Sequence, residues 1–167
     1  VRIVTFDTTQ GMTINGVPTK LRGGCIHHDN GLLGAMAFDA AEQRKVKLLK
    51  ARGYNAIRAA HNPFSPAFLR ACDEQGMFVI SEAFDAWRKP KTPQDYSVHF
   101  DEHWRRDITA QVMSERNHPS IIMWSIGNEI PGRNSPQGMQ LQWELANEVH
   151  RLDATRPVTA GLNGFMG

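Results

Sequence analysis

Ile121-Ile122-Met123-Trp124-Ser125-Ile126-Gly127-Asn128-Glu129-Ile130-Pro131 is the stretch whose reading decides the fold. Its apolar run from Ile121 to Ile126 is too short for a typical helix and does not alternate, as expected of a strand covered on both faces in a parallel sheet. Pro131 blocks extension, and Gly127 lets the backbone turn sharply or approach another group closely. Glu129 then stands just past the carboxyl end of a buried strand. Enzymes built on closed parallel barrels keep their chemistry at that end.

The flanking sequence repeats the same strand-then-helix unit. Leu21–His27 reads as a first strand. A helix follows from Asp39, with Glu42 three positions on as in a capping box, Val46 and Leu49 facing inward, and Gly53 as the stop. Tyr54–Ala60 is a second strand. Ser65-Pro66 caps and starts a helix that carries Phe68, Leu69 and Cys72 inward and ends at Gly76. Met77–Ser81 is a third strand. A helix over 100–116 presents Trp104, Ile108 and Val112 at four-residue spacing. After the central strand, Ser135-Pro136 opens another helix, with Met139, Trp143, Ala146 and Val149 predicted on its buried face. Val158–Leu162 is the fifth strand.

Five strands alternating with four helices predict an α/β fold with right-handed crossovers. A five-stranded doubly wound sheet satisfies the same count. Two features favour a partial (β/α)8 TIM barrel of about five of eight units. No Gly-rich phosphate loop follows the first strand, and polar residues gather after every strand rather than at one switch point. Upstream, Met12-Thr13-Ile14 and Val17–Leu21 flank Asn15-Gly16, which predicts a two-residue hairpin. Val1–Phe6 reads as a further strand. The sequence starts within that strand-like pattern and therefore reads as a piece of a longer polypeptide.

Composition narrows the function classes. The chain has 167 residues, of which 41% are hydrophobic and 22% charged. Its net charge of +2 comes from scattered rather than clustered basic residues, which argues against nucleic acid as a partner. No apolar run approaches the roughly 18 residues of a membrane span, and the absence of a signal-peptide pattern leaves the compartment open. Cys25 and Cys72 lack zinc-type spacing and are expected to be two buried thiols.

The polar residues after the strands suit a sugar. They are His27, His28 and Asp29 after the first strand; Arg58, His61 and Asn62 at the second; Glu82, Asp85 and Trp87 at the third; and Asn128 and Glu129 at the central one. Imidazoles and amides give directional hydrogen bonds to hydroxyls, an indole face suits the C–H side of a pyranose, and carboxylates do proton chemistry. His99, His103, His118 and His150 fall on helices or their ends and are read as surface or capping residues. A metal-dependent barrel hydrolase using His27, His28 and His61 is an alternative. Adjacent strand histidines point to opposite faces, which counts against it.

Trp124-Ser125-Ile126-Gly127-Asn128-Glu129 resembles the acid/base signature of glycoside hydrolase family 2, the family of β-galactosidases and β-glucuronidases. Arg58-Ala59-Ala60-His61-Asn62-Pro63 resembles its Arg-x-x-His-x-Pro segment. His27-His28-Asp29 and Glu82–Trp87 resemble its motifs at the first and third strands. The resemblance implies a retaining glycosidase with no cofactor, in which Glu129 is the general acid/base and Asn128 bonds the sugar 2-hydroxyl. Arg58 would then support the nucleophile, His61 contact substrate, and His28, Asn62, Asp85 and Trp87 line the site. The family's nucleophile is a Glu on the seventh strand, beyond this chain, so the piece alone is expected to be inactive. A non-catalytic carbohydrate-binding remnant remains the alternative. Some family members bind magnesium after the third strand; Asp85-Ala86-Trp87-Arg88 departs from that pattern. The resemblance also assigns residues 1–11 to a preceding immunoglobulin-like domain or linker and 12–167 to the barrel, with self-association possible through open barrel edges.

Overall fold

The computed structural model describes residues 2–164 and contains two sheets. The first is antiparallel, with strands β1 (Val4–Asp7), β2 (Gly11–Ile14) and β3 (Val17–Pro18) in that order. Asn15 and Gly16 take φ of 51° and 79° between β2 and β3, the pair of positive values that a hairpin turn of this hand requires. β1 pairs with β2 from Val4↔Ile14 to Asp7↔Gly11, so the residues on either side of position 11 share one ladder.

The second sheet is parallel and carries the site. Its strands are β4 (Gly23–His27), β5 (Ala56–Ala60), β6 (Phe78–Glu82), β7 (Ile121–Asn128) and β8 (Val158–Gly161), and their spatial order is their chain order. A doubly wound sheet must reverse its strand order at a switch point. This one never does, so it is an arc of a (β/α)8 barrel. Helices α1 (Asp39–Ala51), α2 (Pro66–Gln75), α3 (Ser97–Glu115) and α4 (Pro136–Leu152) make the crossovers.

The core lies between the sheet and these helices. Ile57, Ala59, Val79, Trp124 and Ile126 face Val46, Phe68, Phe100, Ile108, Val112 and Leu145, all buried. Close approach of strands starts at Gly23, where a Cβ would lie 1.8 Å from the Ala56 carbonyl oxygen. Ser65 and Ser135 cap α2 and α4 through bonds from the Phe68 and Gly138 amides, each followed by Pro at the first helical turn.

Four expectations are corrected. Phe38, not Asp39, occupies the N-cap of α1, and its carbonyl accepts the first helical amides. Glu42 does not close a capping box; it is fully buried and accepts from Asn30 Nδ2 at 2.8 Å, tying the loop after β4 to α1. α4 buries Leu141, Leu145, Glu148 and Val149, while Met139 and Trp143 are exposed. That helix has two apolar stripes, and the one spaced by four residues meets the sheet. Cys72 is buried but Cys25 is exposed, because β4 is an edge strand.

Strand β7 carries two register shifts. Val79 and Ile80 of β6 pair with Ile121 and Met123, and Ser125 and Asn128 pair with Thr159 and Gly161 of β8. Each shift inserts one extra residue on β7, and each such bulge re-aims the side chains beyond it.

On the helix side of β6, Ser81 Oγ donates to Glu115 Oε2 at 2.6 Å, and Gln111 Nε2 donates to Ser81 at 2.8 Å. Burial pushes the Glu115 carboxyl up to about 7 even though both hydrogen bonds pull it down. The folded chain therefore keeps this proton to a higher pH than the unfolded chain, whose carboxyl releases it near 4.5. Stability from this group must fall as pH rises through that window. Glu115→Gln is expected to match the unsubstituted chain below pH ~4.5 and to exceed it above pH ~7 by about 3 kcal/mol. Urea denaturation of both forms across that range checks the sign; an advantage for the unsubstituted chain at high pH would contradict it.

Candidate active site

All five strands of the barrel arc run the same way, so the segments after them converge on one rim. On the face turned from the helices, side chains of β5, β6 and β7 meet around Glu82. Its carboxylate is fully buried, with 0% of the side chain exposed. Arg58 donates to Oε2 through Nε at 2.9 Å and Nη2 at 2.6 Å, and Ser125 Oγ, directly opposite in register, donates at 2.5 Å. His61 Nδ1 donates to Oε1 at 2.6 Å. A carboxylate only accepts, so each of these partners must present a proton.

Arg58 extends the network across the sheet. Its Nη2 also donates to Asn128 Oδ1 at 2.9 Å, and Asn128 Nδ2 donates to Asp85 Oδ1 at 2.9 Å. Lys91 closes the chain of contacts by donating to Asp85 Oδ1 at 2.6 Å and to the Asn128 carbonyl at 2.7 Å. Desolvation alone would lower the Arg58 pKa, but hydrogen bonding and charge from Glu82 hold it above its ordinary value. Burial likewise raises the Asp85 carboxyl, and the hydrogen bonds from Lys91 and Asn128 outweigh it, leaving Asp85 below the usual carboxylate range.

Asn128 reaches this face because of the second bulge in β7. From inward Ser125, strict alternation would turn residue 128 toward the helices. The extra residue restores it to the Arg58 side. Gly161, its partner on β8, leaves the room: a Cβ there would lie 2.3 Å from Arg58 Nη2 and 3.1 Å from Asn128 Oδ1. The next residue, Glu129, has φ of 46° and anchors its amide to the Gly161 carbonyl at 2.8 Å. Its side chain is exposed at the rim.

The residues singled out from the sequence thus divide. Arg58, His61, Asp85 and Asn128 are joined by hydrogen bonds, and Glu129 follows Asn128 directly. His27 stands edge-on to His61 with ring centroids 5.4 Å apart. His28 instead packs against Phe64, with Nδ1 buried and unpartnered, and Asn62 bonds the adjacent Pro63 carbonyl. Trp87 is a correction. It is 2% exposed and donates Nε1 to the Ile126 carbonyl at 2.9 Å, so it packs beneath the loop and offers no face to a sugar. Arg88 pairs with Asp101 on α3. Among the described residues no three His, Cys, Asp or Glu side chains gather as metal ligands, which counts against the metal-dependent alternative. Sequence reasoning placed Glu82 only within the ring of polar strand-end residues, and Lys91 and Ser125 went without a role. The signal available for Glu82 was an acidic residue closing an otherwise apolar strand, where burial demands partners.

Comparison with known proteins agrees with this geometry. Residues 7–164 match the TIM barrel domain of glycosyl hydrolases family 2. A β-galactosidase of Bacteroides ovatus is 39% identical over 98% of this chain and 23% of its own length. A crystal structure of a family 2 member from Bacteroides cellulosilyticus superposes with a TM-score of 0.98 at 53% identity, covering 99% of this chain and 21% of that one. The β-D-glucuronidase structure from Dictyoglomus thermophilum gives 0.84 at 27% identity, over 98% of this chain and 29% of that one. The chain thus spans between a fifth and a third of each of these relatives. It belongs to glycosyl hydrolase family 2, within the TIM barrel domain.

Proposed function

We propose that this chain is the acid/base half of a retaining β-glycosidase site acting on terminal β-D-galactosides or related β-glycosides such as β-glucuronides. The observation that carries the reading is the meeting of Arg58, His61, Asp85 and Asn128 in one hydrogen-bonded cluster at the rim where Glu129 stands. Glu129 protonates the departing glycosidic oxygen and then takes a proton from the incoming water. Asn128 contacts the sugar beside the reacting carbon. His61 presents Nε2 to a hydroxyl, its Nδ1 being committed to Glu82.

A retaining mechanism needs a second carboxylate about 5–5.5 Å from the first, acting as nucleophile. Among the described residues, neither carboxylate of the cluster suits that part: Glu82 is buried and receives four hydrogen bonds, and Asp85 is held by Lys91 and Asn128. We assign the nucleophile to a portion of the barrel outside these residues. Both cations of the cluster are likewise spent internally, Arg58 on Glu82 and Lys91 on Asp85. Selection of a uronate carboxylate would therefore draw on a cation outside this cluster, whereas a neutral galactoside makes no such demand.

Two measurements test the reading. The 167-residue chain by itself should not hydrolyse aryl β-glycosides, whereas a polypeptide carrying it within a complete barrel should. Turnover by the isolated chain would contradict the assignment of the nucleophile elsewhere. In the complete barrel, Glu129→Ala should lower kcat about 10²- to 10⁴-fold on substrates with poor leaving groups and much less on activated aryl glycosides. Azide, which needs no general base, should restore turnover and give a β-glycosyl azide. An equal loss on both substrate classes, without azide rescue, would remove Glu129 from the acid/base role.

A further inference from the structure

We propose that Glu82 is a positioning residue of this site, fixing the tautomer of His61 directly and the orientation of the Asn128 amide through Arg58, without itself touching substrate. The proposal rests on the glycosidase reading above and deepens it.

The argument begins with what a buried carboxylate can accept. Glu82 Oε1 has His61 Nδ1 at 2.6 Å, so the ring proton must sit on Nδ1 whatever the charge of the imidazole, and Nε2 is left for a ligand. Glu82 Oε2 takes two N–H groups of Arg58 and the Ser125 hydroxyl. With Nε and Nη2 both pinned, the guanidinium plane has no freedom to rotate. Nη2 is then aimed at Asn128 Oδ1, which it reaches at 2.9 Å. Amide orientation is thereby decided: oxygen toward Arg58, nitrogen toward Asp85. One N–H of Nδ2 is spent on Asp85, and the second is the proton Asn128 can offer a sugar hydroxyl.

Location supports the same conclusion. Glu82 has no exposed side-chain surface, so it cannot itself reach a sugar at the rim. Removing its charge while keeping its volume should disturb two substrate-facing groups at once. In Glu82→Gln the amide oxygen stays with the three donor groups of Arg58 and Ser125, since turning the N–H that way would oppose three donors rather than one, and the new N–H then faces the Nδ1–H of His61. That arrangement is tolerable only if the imidazole moves its proton to Nε2. The group offered to substrate by His61 then changes from acceptor to donor.

The experiment uses the polypeptide that carries this chain within a complete barrel, after its β-glycosidase activity has been established. Absence of that activity would overturn the glycosidase reading itself, before Glu82 is in question. In Glu82→Gln, kcat/KM should fall about 10- to 100-fold, mainly in kcat if the contacts made by Asn128 and His61 tighten in the transition state. The losses in Glu82→Gln and Asn128→Ala should be strongly non-additive when combined, because they remove one shared effect. Imidazole ¹⁵N shifts should show His61 protonated at Nδ1 in the unsubstituted enzyme and at Nε2 in Glu82→Gln. If Glu82→Gln does not fold, Gly161→Ala carries the test. Its Cβ intrudes on the Arg58–Asn128 bond with every charge retained, and it should lower kcat non-additively with Asn128→Ala. Unchanged kcat in the folded variants, additive losses with Asn128→Ala, or His61 keeping its Nδ1 proton in Glu82→Gln would each overturn the proposal.

Discussion

The ion pair between Glu82 and Arg58 is the constraint on which the rim depends. Burying a carboxylate completely costs several kcal/mol, and coulombic attraction alone seldom returns more than that. The pair persists because four hydrogen bonds converge on Glu82 and because Arg58, 23% exposed along its side chain, spans from that carboxylate to the next strand. The desolvation cost is thus borne once and serves three strands. Loss of either partner would leave an uncompensated buried charge, a change that costs about 3–5 kcal/mol in general. Stability and site geometry are therefore set by the same bond.

The backbone makes that bond reachable. Side chains of a strand alternate, so a functional group at a fixed position can serve the inner rim only if the strand's register allows it. β7 solves this by bulging twice against its neighbours. The bulge between Ser125 and Asn128 leaves Trp124 and Ile126 in the helix-facing core while both Ser125 and Asn128 join Arg58 and Glu82. Gly127 and Gly161 fit the same scheme from opposite sides. A Cβ at Gly127 would press on Ile130 and on the Trp87 indole, and one at Gly161 on the Arg58 guanidinium.

What the sequence revealed follows from what is local. Helix caps at Ser65 and Ser135, the Asn15-Gly16 turn and the five apolar strands all depend on neighbours a few residues away, and each was readable. The common rim was readable too, because strand ends need only be counted. Long-range choices were hidden. Trp87 looked like a sugar platform until Ile126, 39 positions on, gave its indole a buried carbonyl to bond. Trp143 looked like core until the neighbouring Leu141–Leu145–Val149 stripe took the sheet side of α4. Glu42 left its expected cap for Asn30. The central place of Glu82 in the network was the largest omission, since its partners lie 21 to 43 positions away in sequence.

One contrast within the site bears on mechanism. Arg58, His61, Asp85 and Asn128 are each held by a neighbouring side chain, whereas Glu129 is held by its backbone: φ in the left-handed region and an amide anchored to Gly161. Groups that read a sugar benefit from being fixed before it arrives, because the ordering cost has then been met in folding. A group that must give up a proton and later reclaim one needs the opposite, a carboxylate with no resident donor to hold it in one state. Under the proposed glycosidase reading, the strand ends supply a rigid reading frame, and the first residue past β7 supplies a side chain with no donor bound among the described residues. That separation follows from where the ladder ends: within it Ser125 and Asn128 bond side chains of neighbouring strands, and one step beyond it the Glu129 side chain has no hydrogen-bond partner among the described residues.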